Sequence, residues 1–416
     1  MNAQQLETTV CVVGGGPAGV VLALLLARAG VDVTVLEKHK DFNRDFRGDT
    51  IHSATLRVMH QLGLLNDLLR IPHRSFDHAD LMIGNATYTI ADLTTLPAPT
   101  NFVALMPQWD LLNFLASEVR KFPNGKVLME HNVTGLLADP ANSGRTVGAR
   151  AETPSGTVEV RAALTVGCDG RHAVTTEAAH LEYVNLGAPI DVLWLRMSRR
   201  EDDPDNALGN VNYGGLLVLI NRGDYFQCGY VIKKDSFETQ IKPACLPAFR
   251  DTIVKIVPFL GVPGPDGKSR VDEITSWDQV SLLSVQVNRL TRWHRDGLLC
   301  IGDAAHAMSP VGGIGINLAI QDAVAAARIL RERLRVAGKS GQIAESALAE
   351  VQGRREFPTK VTQSFQIKVH GFLKKYLGNP GPAHAPGILR FLSNRKIFRM
   401  LTARFIALGV RPESVD

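Results

Sequence analysis

Apolar and polar positions alternate in blocks from the start of the chain. Val10, Cys11, Val12 and Val13 form a short β-prone run, and a glycine cluster follows. Residues 20–29 are apolar on nearly every side, which predicts a buried helix, and residues 31–36 predict a second strand. The opening is therefore a βαβ unit. Residues 41–50 form a polar loop. Leu56, Met59 and Leu62 then share one helical face from about Ser53, with Gly63 as the stop.

Residues 77–107 read as short strands, and residues 110–120 return to a helical period through Leu111, Leu112, Phe114 and Leu115. Residues 126–168 are strand-rich. Within them Pro154, Ser155 and Gly156 separate two alternating runs, a hairpin signal. A second β-rich block has runs at 192–198, 216–221 and 225–232, joined by Asp- and Gly-rich turns. The chain returns to an apolar strand at 298–301 and enters a long helix over 316–335. Its remainder is helical in period and basic, broken at Pro380, Pro382 and Pro386.

Strands that run into glycine turns thus recur near the start, the middle and the end. This interleaving predicts an α/β domain made of residues 1–76, 108–180 and 281–340. Residues 77–107 and 181–280 would form an inserted β-sheet domain, and 341–416 a C-terminal helical region.

Composition narrows the class. The 416 residues are 45% hydrophobic and 21% charged, enough for a sizeable core and a poor match to disorder, collagen or coiled coil. The net charge of +5 suits an anionic cofactor, and no motif reads nucleic acid. Cys11, Cys168, Cys228, Cys245 and Cys300 are scattered, without CxxC spacing or histidine partners, so no metal site and no disulfide framework is expected. Gly14, Gly15, Gly16 and Pro17 break the apolar stretch at 10–27 and no basic segment precedes it, which argues against a secretory signal. A soluble cytoplasmic protein, monomeric or homodimeric, is the expectation.

The chemistry begins at Gly14-Gly15-Gly16-Pro17-Ala18-Gly19, a GxGxxG between a strand and a helix. Gly14 permits the tight turn, Gly16 lets backbone N–H groups approach a pyrophosphate, and Gly19 lets the helix pack on the strand. Glu37 lies about twenty residues on, at the end of the second strand, where a carboxylate receives a ribose diol. Dinucleotide binding follows, although spacing alone does not separate FAD from NAD.

Two further segments carry a resemblance: Cys168-Asp169-Gly170 and the stretch from Gly302 to Asp322, GDAAHAMSPVGGIGINLAIQD. With the first glycine motif they look like the three fingerprints of the para-hydroxybenzoate hydroxylase-type, or group A, FAD monooxygenases, a family related to ubiquinone-biosynthesis hydroxylases. The match runs from residue 10 to about 335. It implies a glutathione-reductase-like FAD domain with an inserted β-sheet substrate domain and C-terminal helices.

The resemblance also implies residue roles. Asp303 would bind the ribityl chain, and His306 would be structural. Pro310, Gly312, Gly313 and Gly315 would lie along the isoalloxazine ring, a Cβ at Gly313 or Gly315 being excluded by the ring or by φ. The N–H groups of Ile316 and Asn317 would face its N1 and O2 edge, and the Pro310 carbonyl the substrate. Arg47 would lie near the phosphates and Gln108 near the ribityl chain. Pro17, Ala18, Lys38 and Asp169 complete the candidate cofactor residues.

One departure counts: where the family's middle fingerprint continues with serine and arginine, this chain has Ala173 and Thr176. That segment touches both FAD and NADPH in the family, so its pyridine-nucleotide contact is weakened here.

The implied activity is hydroxylation of an aromatic, phenolic or quinone-like small molecule, with NADH or NADPH and O2, through a flavin C4a-hydroperoxide. The catalytic base is unassigned, with Asp49 and His52 the nearest candidates. A flavin dehydrogenase or reductase without oxygen insertion, or a non-catalytic flavin-binding protein, are the alternatives. Lys374, Lys375, Arg395 and Lys396 read as a solvated helix face, so membrane contact is not expected.

Overall fold

The computed structural model describes residues 4–43, 50–204, 209–379 and 381–415. Its largest sheet has the parallel order Leu298–Cys300, Gly156–Gly167, Gln4–Val13, Val33–Leu36 and Gly125–Leu128. The helices Pro17–Arg28, Gln108–Arg120 and Gly315–Ala337 share one hydrophobic core with its central strands, from Val10 and Val12 to Leu299 and Ile301. Strands covered in this way are apolar along their whole length, which is why the sequence shows runs rather than alternation.

The first strand begins earlier than its apolar run suggests, at Gln4. Gln4, Gln5 and Glu7 are polar and exposed, yet with half-buried Leu6 they extend the ladder against Val158 to Arg161. The hairpin is where Pro154 to Gly156 signalled it, between Asn142–Thr153 and Gly156–Gly167.

A second sheet of seven strands has the order Ser281–Leu283, Ile190–Ser198, Tyr225–Lys233, Gly215–Asn221, Gly209–Asn212, His78–Ile83 and Ala86–Asp92. Its two faces follow the pleat. Leu193, Leu195 and Met197 pack with Leu217 and Leu219 against the helix Leu246–Ile256, an element absent from the β-only reading of this block. Val192 and Val231 on the other face pack with Leu373 of the long helix Glu345–Tyr376 and with Leu377 just after it, and Val311 joins this cluster.

Val311–Ala337 is long and apolar enough to cross a membrane, but 72% of its most apolar window is buried inside the protein, as befits a core helix. Near the C-terminus Lys374, Lys375, Arg395 and Lys396 are exposed as expected, and Ile388, Phe391, Ile397 and Leu401 are exposed beside them.

Candidate functional site

The glycine turn is built by close approach of main chains. Gly14 has φ +102°, and a Cβ there would stand 2.4 Å from the Cys168 carbonyl oxygen; a Cβ on Gly19 would stand 2.1 Å from the Gly14 carbonyl oxygen. Both positions exclude any larger residue. Gly16 differs, since a Cβ there would meet nothing nearer than the Cys168 oxygen at 4.0 Å. The helix Pro17–Arg28 starts on that open side with no side-chain cap and no acidic residue in its first turn. Glu37 is buried and accepts hydrogen bonds from the Gly15 N–H (2.8 Å) and the His39 N–H (3.0 Å), so it braces the turn from behind.

The three sequence segments meet here. Gly14 abuts Cys168 and Asp169, while a Cβ on Gly302 would stand 3.2 Å from that of Ala18 and 3.1 Å from that of Ala319, closer than an ordinary contact. Asp303 follows in the turn after the strand Leu298–Cys300, and its carboxylate is 3.7 Å from Arg171 Nε. The Asp169 carboxylate is engaged with its own segment: it accepts from the Thr175 N–H (3.0 Å) and Oγ1 (2.6 Å) and so starts the helix Val174–Ala178. Burial raises its pKa despite those bonds. Asp169 therefore reaches the glycine turn through its main chain, and its side chain is a capping group.

Behind the last junction lies a constellation of which the sequence pointed only to His306, as a structural residue. Asp322 is fully buried and accepts from the Gly302 N–H (3.1 Å), His306 Nε2 (2.5 Å) and Arg355 Nε (2.8 Å). Burial alone would raise this carboxyl, but His306 and Arg355 outweigh it and hold it below the ordinary carboxylate value. His306 is buried against the Trp293 ring, which agrees with a structural rather than a basic part. Asp322 closed the quoted segment, but its partner Arg355 lies 33 residues on, beyond any local signal.

Residues 310–316 form a partly exposed strip between buried Ser309 and buried Asn317, with Ile314 the buried member. Gly312 and Gly313 have φ of +81° and +61°. Gly315 does not, and a Cβ there would sit at an ordinary 3.5 Å from Met308, so neither φ nor a protein contact requires glycine at this position. The helix Gly315–Ala337 also starts without a side-chain cap or an acidic residue in its first turn. The Asn317 side chain turns back to hold the preceding loop: its Oδ1 accepts from the His52 N–H (2.9 Å) and Thr55 Oγ1 (2.8 Å), and its Nδ2 donates to the carbonyls of Thr50 (3.0 Å) and Gly313 (3.1 Å).

His52 is buried, with Nδ1 2.8 Å from the Ile406 carbonyl oxygen and a second bond to the Gly312 carbonyl. Burial pulls its pKa down to about 4 against those two bonds. It is a weak proton acceptor that ties the strip to the C-terminal segment. Asp49 and Arg47 lie outside the described residues.

Comparison with known proteins decides the family. Residues 7–363 match the family described as FAD binding domain. The chain is 31% identical over 372 residues to 6-methylpretetramide 4-monooxygenase of Streptomyces rimosus, covering 86% of this chain and 84% of that protein. It is 24% identical over 322 residues to para-nitrophenol 4-monooxygenase of Pseudomonas sp. strain WBC-3, covering 76% and 75%.

The chain belongs to the group A FAD-dependent monooxygenases.

The solved structure of p-nitrophenol 4-monooxygenase PnpA from Pseudomonas putida shares the fold, with a TM-score of 0.75 at 21% identity and 97% coverage of both chains. In this monooxygenase the structure brings Gly14, Gly16, Pro17, Ala18, Gly19, Glu37 and Asp169 together at the start of the helix Pro17–Arg28, and Asp303 follows Gly302, which packs on Ala18. It places Pro310, Gly313, Gly315, Ile316 and Asn317 on one strip. Lys38 is exposed beside Glu37, and Gln108 is half-buried as the first residue of the helix Gln108–Arg120.

Proposed function

We propose that FAD lies across these two uncapped helix starts and that the substrate is an aromatic, phenolic or quinone-like small molecule. The single observation that carries the reading is that both helix N-termini stand uncapped, without acidic side chains, beside backbone that the protein leaves partly open. Such ends favour anions through unpaired N–H groups and about half a positive charge. The pyrophosphate fits the turn at Gly16, and the pyrimidine edge of the ring fits Ile316 and Asn317. Glu37 would receive the ribose and Asp303 the ribityl chain.

Once bound and reduced by NADH or NADPH, FAD would supply the activation of O2, one atom of which goes to the substrate and the other to water. The protein's part is to hold, orient and keep dry. Val311 packs in one cluster with Val192 and Val231 of the second sheet, so that sheet's Val192 and Trp194 face is the natural floor for a flat apolar substrate, and the 77–107 and 181–280 segments are its substrate-binding part. The names of the two relatives above, both monooxygenases of ring compounds, support this class. The five free cysteines, three of them fully buried, fit a cytoplasmic setting.

The test is a panel of phenols, quinones and polycyclic aromatics with NADH or NADPH under isotopically labelled O2. An accepted substrate should accelerate nicotinamide oxidation and carry one labelled oxygen in its product. Acceleration without label in any product would favour a reductase.

A further inference from the structure

The long helix Glu345–Tyr376 turns three buried polar side chains, Gln363, Gln366 and His370, toward the segment that leads into the flavin-side strip. Spaced by three and four residues, they share one helix face. Gln363 Nε2 donates to the carbonyls of Asn288 (2.7 Å) and Ala307 (3.2 Å), and its Oε1 accepts from Arg289 (2.7 Å). Gln366 acts three residues further along. Its Oε1 accepts from the Ser309 N–H (3.1 Å), and its Nε2 donates to the carbonyls of Ser309 (2.9 Å) and Val311 (3.0 Å). His370 Nε2 lies 2.7 Å from Ser309 Oγ.

One carboxamide thus satisfies three main-chain groups on both sides of Pro310. The strip beyond has little means of fixing itself, since Gly312 and Gly313 occupy left-handed conformations and carry no side chain to pack. The Pro310 carbonyl accepts from the Gly313 N–H at 3.0 Å, so the placement of Pro310 passes directly into that turn. We propose that Gln366 is a positioning residue for the flavin, setting where residues 310–316 stand against the ring. This rests on the reading that the strip lines the flavin. Gln363 is an internal comparison: it lies on the same helix, is equally buried and also bonds main chain, but it touches no residue flanking Pro310.

The experiment compares Gln366→Met with Gln363→Met, each close in volume to glutamine and each leaving main-chain groups unpaired. Melting of the FAD-free proteins, the Kd for FAD, and the absorbance spectrum and reduction potential of the bound flavin are measured. Both variants should melt below wild type. Gln366→Met alone should raise the Kd for FAD by about tenfold and shift the flavin bands and potential. Matching Kd, spectrum and potential in the two variants would overturn the proposal, leaving Gln366 merely structural. If Gln366→Met does not fold, Gln366→Asn keeps the carboxamide one methylene short and enters the same comparison, and flavin properties equal to those of Gln363→Met overturn the proposal equally. A wild-type protein that takes up no FAD defeats the underlying site and this inference together. A wild type that binds FAD, with two matching variants, defeats this inference alone.

Discussion

The turn at residues 14–19 and the strip at 309–317 each lead into the open N-terminus of a buried helix, but they are held by opposite means. The first is fixed by contact between main chains: Gly14 against Cys168 and Gly19 against Gly14, with Glu37 behind. The second is fixed by side-chain hydrogen bonds across the fold: Gln366 reaches Ser309 across 57 positions, and the Asn317 carboxamide accepts from the His52 N–H and Thr55 Oγ1 across 265 and 262. A turn held by sterics tolerates almost no substitution. A strip held by hydrogen bonds can be retuned from a distance, as the proposed placement beside the flavin ring would require.

Gly14→Ala should have the largest effect. With φ at +102° and a contact of 2.4 Å to the Cys168 oxygen, the added methyl combines backbone strain with a main-chain clash. A loss of about 3 kcal/mol or more is expected, with loss of FAD. Urea denaturation and flavin content measure both, and a variant with wild-type values would refute the steric account.

Next comes acid. The unfolded chain protonates His52 near its ordinary 6.5, whereas the folded protein does so only near 4. The unfolded state therefore binds the extra proton inside that window. The contribution of neutral His52 is complete above pH 6.5 and is lost as pH falls toward 4, about 3 kcal/mol in all. His52→Gln should flatten that part of the pH–stability curve. Parallel curves for variant and wild type would show that His52 is not the titrating anchor.

A smaller effect separates the glycines of the strip. Gly313→Ala, at φ +61° with its Cβ 2.9 Å from that of Thr50, should cost about 1 to 2 kcal/mol. Gly315→Ala, with an ordinary helical φ and room for a methyl, should stay within about 0.5 kcal/mol of wild type in the FAD-free protein. Equal losses at the two sites would show that conformation is not what distinguishes them.

What was legible in the sequence follows the same division. The glycine turn, Glu37 and the strand-to-turn junctions at Asp169 and Asp303 are marked by residue type and spacing within each segment, although Gly14 meets its steric partner Cys168 only through the fold. The helix Leu246–Ile256 was missed because a β-rich surrounding hid the helical period of Phe249, Ile253 and Ile256, which pack on the second sheet. Asp322, Gln366 and His52 were not assigned their parts, because each takes its meaning from a partner that only the fold supplies. The middle segment was legible in the other direction: Ala173 and Thr176 warned of a departure, and Asp169 is engaged with Thr175 there.

In the proposed site the start of the helix Gly315–Ala337 meets the pyrimidine edge of the flavin. Two-electron reduction places negative charge at that edge, and a helix N-terminus favours an anion by about 0.3 to 2 kcal/mol. The direct measurement is the anaerobic absorbance spectrum of the fully reduced wild-type protein at neutral pH. The account predicts the anionic reduced flavin, and a spectrum of the neutral reduced form would contradict it.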